Sequence, residues 1–168
     1  AAGVEVAGFM NLAETENKGT RRKWMYYRSV KTGTDGVAKV EYKQLRSGIV
    51  VRDTENKRMA VPHVSPSSLA KGELSVALKT ECHVTGDIVC EEMEKEGKPI
   101  GWTNVCVRRG DGGQAMSCSS SEGRFELLLP PGTYTLFVYG VYFKKRNINI
   151  TVPVDRTEFT PDPITLTA

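Results

Sequence analysis

The residues best suited to chemistry in this 168-residue chain are four cysteines, two histidines and two places where basic and aromatic side chains meet. Cys82, Cys90, Cys106 and Cys118 all lie in the second half, and no two have the Cys-x-x-Cys spacing of a zinc or dithiol redox site. Arg109-Gly110-Asp111-Gly112-Gly113 has the composition of a turn, and a hairpin centred on Gly112 sets Cys106 directly opposite Cys118. Opposed antiparallel residues hold their Cβ atoms about 4.5–5.5 Å apart, slightly wide of a disulfide but closable at a twisted site. A Cys106–Cys118 disulfide is therefore expected, with buried thiols as the alternative. Cys82 and Cys90 are eight residues apart along one strand, about 26 Å, and cannot bridge. They share an apolar face with Val84 and Ile88 and read as core.

Arg21, Arg22 and Lys23 run into Trp24, Tyr26 and Tyr27, the mixture of charge and stacking rings that suits a sugar or a single-stranded nucleic acid. An ordinary strand with one aromatic face buried and a basic loop in water has the same pattern, and that reading is preferred. Lys144, Lys145 and Arg146 after Tyr142-Phe143 read as a charged loop. His63 and His83 come without His-Glu-x-x-His, a nucleophile elbow or a carboxylate cluster, and His83 is expected at the surface. Asp111-Gly112-Gly113 is turn chemistry, and Glu91, Glu92, Glu94 and Glu96 an acidic loop. No catalytic residue, metal ligand or cofactor site follows from any of these.

Lys plus Arg number 23 against 20 Asp plus Glu, a balance that ordinary solubility explains and that points to neither nucleic acid nor an anionic membrane. No apolar run approaches the roughly 20 residues of a membrane-spanning helix, so no membrane insertion is expected. The opening on Ala1 suggests a processed product or a piece of a larger exported protein. An even cysteine count within a β-rich segment fits that compartment.

The elements that must position these residues are strands. Phe125, Leu127 and Leu129 alternate with Arg124, Glu126 and Leu128, Pro130-Pro131-Gly132 reverses the backbone, and Tyr134, Leu136 and Val138 resume the alternation. Two prolines without amide hydrogens stop the first strand, and glycine frees the turn. Cys82, Val84, Gly86, Ile88 and Cys90 share one face of an earlier strand. Further strands are predicted at Val105 and Val107, at 116–119, at Ile148, Ile150 and Val152, and at Ile164 with Leu166. The first half is noisier, with strands at Val4 and Val6, across Trp24 to Arg28, at 37–42, at 49–51 and at Leu74, Val76 and Leu78. No segment has convincing helical periodicity. The seven short strands of the second half, with turns between them, point to an antiparallel Greek-key sandwich.

The halves correspond in order. Thr34-Asp35-Gly36-Val37-Ala38 parallels Ser121-Glu122-Gly123-Arg124-Phe125, Leu45-Arg46-Ser47-Gly48-Ile49 parallels Leu129-Pro130-Pro131-Gly132-Thr133, and Leu74-Ser75-Val76-Ala77-Leu78 parallels Ile164-Thr165-Leu166-Thr167-Ala168. The fold class expected is all-β, two tandem sandwiches covering 1–79 and 80–168.

On Val84-Thr85-Gly86-Asp87-Ile88-Val89, Gly97-Lys98-Pro99-Ile100, Asn104-Val105-Cys106-Val107, Ser121-Glu122-Gly123-Arg124-Phe125 and Leu129-Pro130-Pro131-Gly132-Thr133-Tyr134-Thr135-Leu136, the second half resembles the carboxypeptidase regulatory-like domain, a transthyretin-like (Cna-B-like) β-sandwich. The resemblance covers 82–168 and implies a non-enzymatic module joined to other domains in an exported, periplasmic or cell-surface bacterial protein, with no cofactor. The transthyretin-like fold also includes a hydrolase of 5-hydroxyisourate, but its histidine-rich strand and Tyr-Arg-Gly-Ser terminus have no counterpart here. The first half matches only from Thr34 and is short of one strand, so a sheet edge beside Val4 to Phe9 is expected to be completed by another part of a larger chain or by a neighbouring chain. The function expected is a spacer or protein-interaction module. The alternative is a carbohydrate- or ligand-binding module using Trp24, Tyr26, Tyr27, Arg21 and Arg22.

Overall fold

A computed structural model describes residues 1–14, 22–27, 29–41, 49–108, 114–120 and 123–168. The chain is nearly all β, its sheets mostly antiparallel and packed as a sandwich. In order the strands are β1 (Glu5–Ala7), β2 (Phe9–Glu14), β3 (Arg22–Tyr27), β4 (Val30–Lys31), β5 (Val50–Asp53), β6 (Arg58–Ala60), β7 (Lys79–Thr80), β8 (Cys82–Val89), β9 (Thr103–Arg108), β10 (Gln114–Ser120), β11 (Arg124–Leu129), β12 (Gly132–Gly140), β13 (Arg146–Val152), β14 (Glu158–Phe159) and β15 (Ile164–Thr165). Among the described residues two short helices interrupt them, α1 (Pro66–Lys71) and α2 (Glu91–Lys95).

A five-stranded sheet runs β4-β1-β5-β6-β7, a six-stranded sheet β13-β12-β9-β10-β2-β3, and a third sheet β11-β8-β14, with β15 also on β8. The six-stranded sheet is the decisive one. Its first four strands come from the second half of the chain, and its last two, the β2–β3 hairpin, from the first. The junction is a parallel pair in which Met116, Ser117 and Cys118 of β10 face Met10, Asn11 and Leu12 of β2. The division expected after residue 79 falls inside β7, and one sheet crosses it.

Burial follows that sheet. The larger core gathers Val84, Ile88, Val105, Val107, Met116, Phe125, Leu127, Leu136 and Val138 from the second half together with Met10, Val50 and Met59 from the first. Alternation makes β5 two-sided. Val50 enters this core, whereas Ile49 and Val51 join Val4 and Val6 in a smaller cluster on the opposite face.

The edge beside Val4 to Phe9 is not the vacancy the repeat suggested. β1 has β4 on one side and β5 on the other, and β2 lies between β10 and β3. Residues 37–41 and 74–78, expected as strands, belong to no ladder. They keep the strand rhythm in burial: Ala38, Val40, Val76 and Leu78 turn half-buried onto the smaller cluster while Lys39, Ser75 and Ala77 are exposed. β6 went unforeseen because three residues carry too little periodicity to register.

The acidic segment 91–97 holds α2, whose Glu91, Glu92 and Glu94 sit in the first turn, where the helix dipole favours carboxylates. Gly97, at φ +64°, closes it: Lys98 N–H reaches the Met93 carbonyl and Gly97 N–H the Glu94 carbonyl, the two bonds of a Schellman cap. Five residues are too few to display a 3.6-residue period.

Gly86 sits directly opposite Phe125 on the β8–β11 ladder, and the ring lies across it. A Cβ there would fall 2.4 Å from Phe125 Cζ. Gly86→Ala is expected to force the ring aside and lower stability by about 1–3 kcal/mol in urea unfolding, the range for overpacking a dense core; unchanged stability would mean that the ring has room to move.

Candidate functional site

The cysteines do not form the expected bridge. All four are buried thiols. Between Gln114 and Met116 the β9–β10 register shifts by one residue, so Cys106 faces Ser117 and Cys118 faces Val105. A one-residue slip reverses which face a side chain occupies. Cys118 thus joins the large core with Met116, while Cys106 lies outside it, beside Arg108 and Tyr139. Burial pushes the Cys106 thiol up, against the opposing pull of a Tyr139 hydrogen bond and the Arg108 charge. Burial also raises Cys82, with Glu158 adding to it. Thiols held protonated in this way are poor nucleophiles.

Of the aromatic–basic group, Arg21 lies outside the described residues. Arg22, Trp24, Tyr26 and Tyr27 belong to β3, the outer strand of the six-stranded sheet. The Tyr26 ring packs on the large core, and its hydroxyl accepts a 2.8 Å hydrogen bond from Arg52 Nη1. The same guanidinium grips Glu81, Nε to Oε2 at 2.7 Å and Nη2 to Oε1 at 3.0 Å. Burial alone would lower the Arg52 pKa, but the hydrogen bonds to Glu81 and Tyr26 more than reverse that pull. One planar fork therefore links β5, β3 and the segment entering β8.

His63 is exposed. His83 lies on the exposed side of β8, as its sequence position implies, with Nε2 3.5 Å from Glu126 Oε2. Neither histidine lines either of the two cavities described below. Among the described residues no group of three or more His, Cys, Asp or Glu side chains is placed to hold a metal ion, and no helix is long and apolar enough to cross a membrane. Asp111, Gly112 and Gly113 lie outside the described residues.

Two other features stand out. The first is an exposed apolar tip. Thr103 and Gly140 pair at the end of the β9–β12 ladder, which brings Trp102, just before β9, beside Val141, just after β12. Trp102 is 51 % exposed, Val141 75 % and Tyr142 61 %. The Tyr142 ring rests over Gly101, where φ is +70° and a Cβ would meet Cε2 at 3.3 Å. Phe143 is buried and packs against Gly140, anchoring the turn that presents its neighbours. Lys98 and Glu96 pair nearby at 2.6 Å. Large side chains held clear of the core are the informative kind of surface apolarity, and Trp and Tyr are the residues most often carrying binding energy. Sequence pattern singled out Tyr142 only as part of a charged loop and passed over Trp102. The glycines flanking the ends of both strands were the available signal.

The second is a cavity of about 580 Å³ on the face of the five-stranded sheet that bears the smaller cluster, lined by Val4, Val6, Val51, Val40, Val76 and Leu78 among others. A shallower one, about 490 Å³, lies between β13 and the segment leading into β15, around Ile148, Ile150, Phe159 and Pro161.

The turn between β11 and β12 is fixed by Tyr134, whose hydroxyl donates to the Pro130 carbonyl at 2.8 Å. No protein-family model and no curated protein matches the chain.

Burial pushes the Tyr134 phenol up to about 12. An unfolded phenol titrates near pH 10, so above that pH the unfolded chain releases a proton that the folded one retains. The contribution of Tyr134 to stability should be complete below about pH 10 and lost as pH rises toward 12. Denaturation midpoints measured across that interval should fall more steeply for the native chain than for Tyr134→Phe; equal slopes would place the ring in water.

Proposed function

We propose that this chain is a non-catalytic β-sandwich unit of an exported bacterial protein, serving as a spacer and protein-interaction module. The observation that carries the reading is the apolar tip of Trp102, Val141 and Tyr142, held out from a framework whose two halves share one sheet. A spacer must transmit position without hinging, and strands paired across the midpoint of the chain supply that rigidity. An interaction module needs a preorganised contact, and a Tyr142 ring resting over Gly101 beside the anchored Phe143 loses little freedom on binding.

The resemblance to carboxypeptidase regulatory-like domains agrees with this reading. In the second half the order β10-β9-β12-β13 faces β11-β8-β15, and the landmark glycines Gly97 and Gly123 both have positive φ, at turns where the resembling motifs place them. The ligand-binding alternative is weakened at Tyr26, which spends its hydroxyl on Arg52 and packs its ring on the core.

Replacing Trp102 with a photo-crosslinking phenylalanine analogue in the full-length protein should yield a discrete adduct with a neighbouring domain or protein. Trp102→Ala with Tyr142→Ala should weaken that association at least tenfold while leaving folding stability within about 0.5 kcal/mol, as expected for exposed positions. Absence of any adduct, or undiminished association of the double variant, would remove the tip from the account.

A further inference from the structure

The six-stranded sheet ends on β13, and among the described residues no strand pairs with its outer side. Natural sheets protect such edges by keeping them short or charged. The other outer strands obey this. β4, β7, β14 and β15 have two residues each, β11 carries Arg124 and Glu126, and β3 opens on Arg22-Lys23. β13 is seven residues long, and its register with β12 runs unbroken from Arg146 opposite Val138 to Val152 opposite Gly132. Its one charge, Arg146, stands at the entry and donates to the Thr165 carbonyl. From Asn147 to Val152 there is no charge, proline or bulge.

The chain's own neighbouring segment does not complete the edge. Residues 160–163 line the cavity of about 490 Å³ beside β13 but belong to no ladder, and Pro161 and Pro163 have no amide hydrogen to offer. β14 and β15, on either side of them, are paired with β8. β13 itself divides its faces strictly. Ile148, Ile150 and Val152 turn toward the large core, while Asn147, Asn149 and Thr151 are exposed. On that exposed face the Thr135 hydroxyl donates to Asn149 Oδ1 at 2.9 Å, and the Thr133 and Thr151 hydroxyls lie 3.1 Å apart.

We propose that β13 pairs with the β13 of a second copy of this chain, antiparallel about Ile150, in a two-fold dimer. A two-fold contact sets one patch against itself, so the strand must be its own complement. About Ile150 it is. Ile150 faces Ile150 of the second copy, Ile148 faces Val152, and on the outer side Asn149 faces Thr151, an amide donor beside a hydroxyl. Arg146 falls beyond the other strand's end, opposite Val154, which is 71 % exposed. Centring on Asn149 would instead set Arg146 against the buried Val152, and centring on Ile148 would set it against the buried Ile150. Matched cross-strand pairs are what stabilise an antiparallel ladder. The flanks agree in charge, because the entry Lys144-Lys145 of one copy runs toward the exit of the other, where Asp155 and Glu158 outnumber Arg156. Seven residues make a small interface, so the dimer is weak and concentration-dependent. It goes beyond the interaction reading and does not need the aromatic tip.

The test is sedimentation velocity and amide exchange on the 168-residue chain over a wide range of concentration. The weight-average mass should climb from monomer toward dimer, and alternate amides of β13 should slow about tenfold over the same range while β8 is unchanged. Asn149→Lys with Thr151→Lys, both at exposed positions, sets like charges opposite each other and should weaken association about tenfold. Asn149→Lys with Thr151→Glu sets opposite charges there and should restore it, although both variants lose the same contacts to β12. Asn149→Cys with Thr151→Cys should give a disulfide-linked dimer under oxidised glutathione, whereas neither single substitution should. A monomer at every concentration would overturn the proposal. So would a dimer that leaves β13 exchange unchanged, equal association of the two charged variants, cross-linking by Asn149→Cys alone, which would move the axis, or loss of the dimer in Trp102→Ala with Tyr142→Ala, which would assign it to the tip.

Discussion

The structure depends on one parallel strand pair. Residues 5–14 form β1 and then β2 with only Gly8 between them, yet β1 lies in the five-stranded sheet and β2 in the six-stranded one. The chain changes sheets at a buried glycine, where no Cβ restricts the backbone. Once β2 has paired with β10, Met10 lies fully buried among second-half residues, and β5 must turn Val50 toward the same core. Burying side chains of this size contributes roughly 1.5–3 kcal/mol each. The Arg52–Glu81 pair, both side chains nearly buried, is worth less as attraction than as constraint: removing one partner strands a charge and costs about 3–5 kcal/mol. The hydrophobic pairing sets the arrangement, and the guanidinium fork fixes its register.

Much of this was legible in the chain. The Phe125–Leu129 and Tyr134–Val138 alternations, broken by Pro130-Pro131-Gly132, gave β11, the turn and β12, because burial on one face imposes a two-residue period that composition cannot disguise. Cys82 to Ile88 gave β8 for the same reason. The pattern misled where pairing rather than burial decides. Residues 37–41 and 74–78 carry strand alternation and obey it in burial, but a ladder needs a neighbour at the right distance, which no single segment encodes. The Cys106–Cys118 expectation failed on one residue of register: a hairpin centred on Gly112 opposes the two cysteines, whereas the ladder pairs Arg108 with Gln114 and, past the irregularity next to Ala115, Cys106 with Ser117. The shared sheet was invisible for a related reason. Tandem similarity suggests separate units, whereas β2 spends its backbone hydrogen bonds on β10, more than a hundred residues away.

The surfaces of the two halves differ along the same line. The second half supplies most of the larger core and presents Trp102, Val141 and Tyr142 at one end of the β9–β12 ladder, with the Tyr142 ring resting over Gly101. The first half has lent its hairpin and covers its remaining sheet with segments that pair with nothing in a ladder, leaving an aliphatic trough. One is built of exposed rings, the other of half-buried aliphatic side chains. The buried Cys82 and Cys106 thiols are pushed toward their protonated forms.

Hydrogen exchange at residues 10–12 tests the shared sheet most directly. If β2 is integral to the six-stranded sheet, these amides should exchange only through global unfolding, with the same opening free energy and denaturant dependence as Val84 and Ile88 in β8. Exchange at residues 10–12 through a separate, lower-energy opening, while β8 remains fully protected, would show that the first half is a detachable appendage rather than part of one framework.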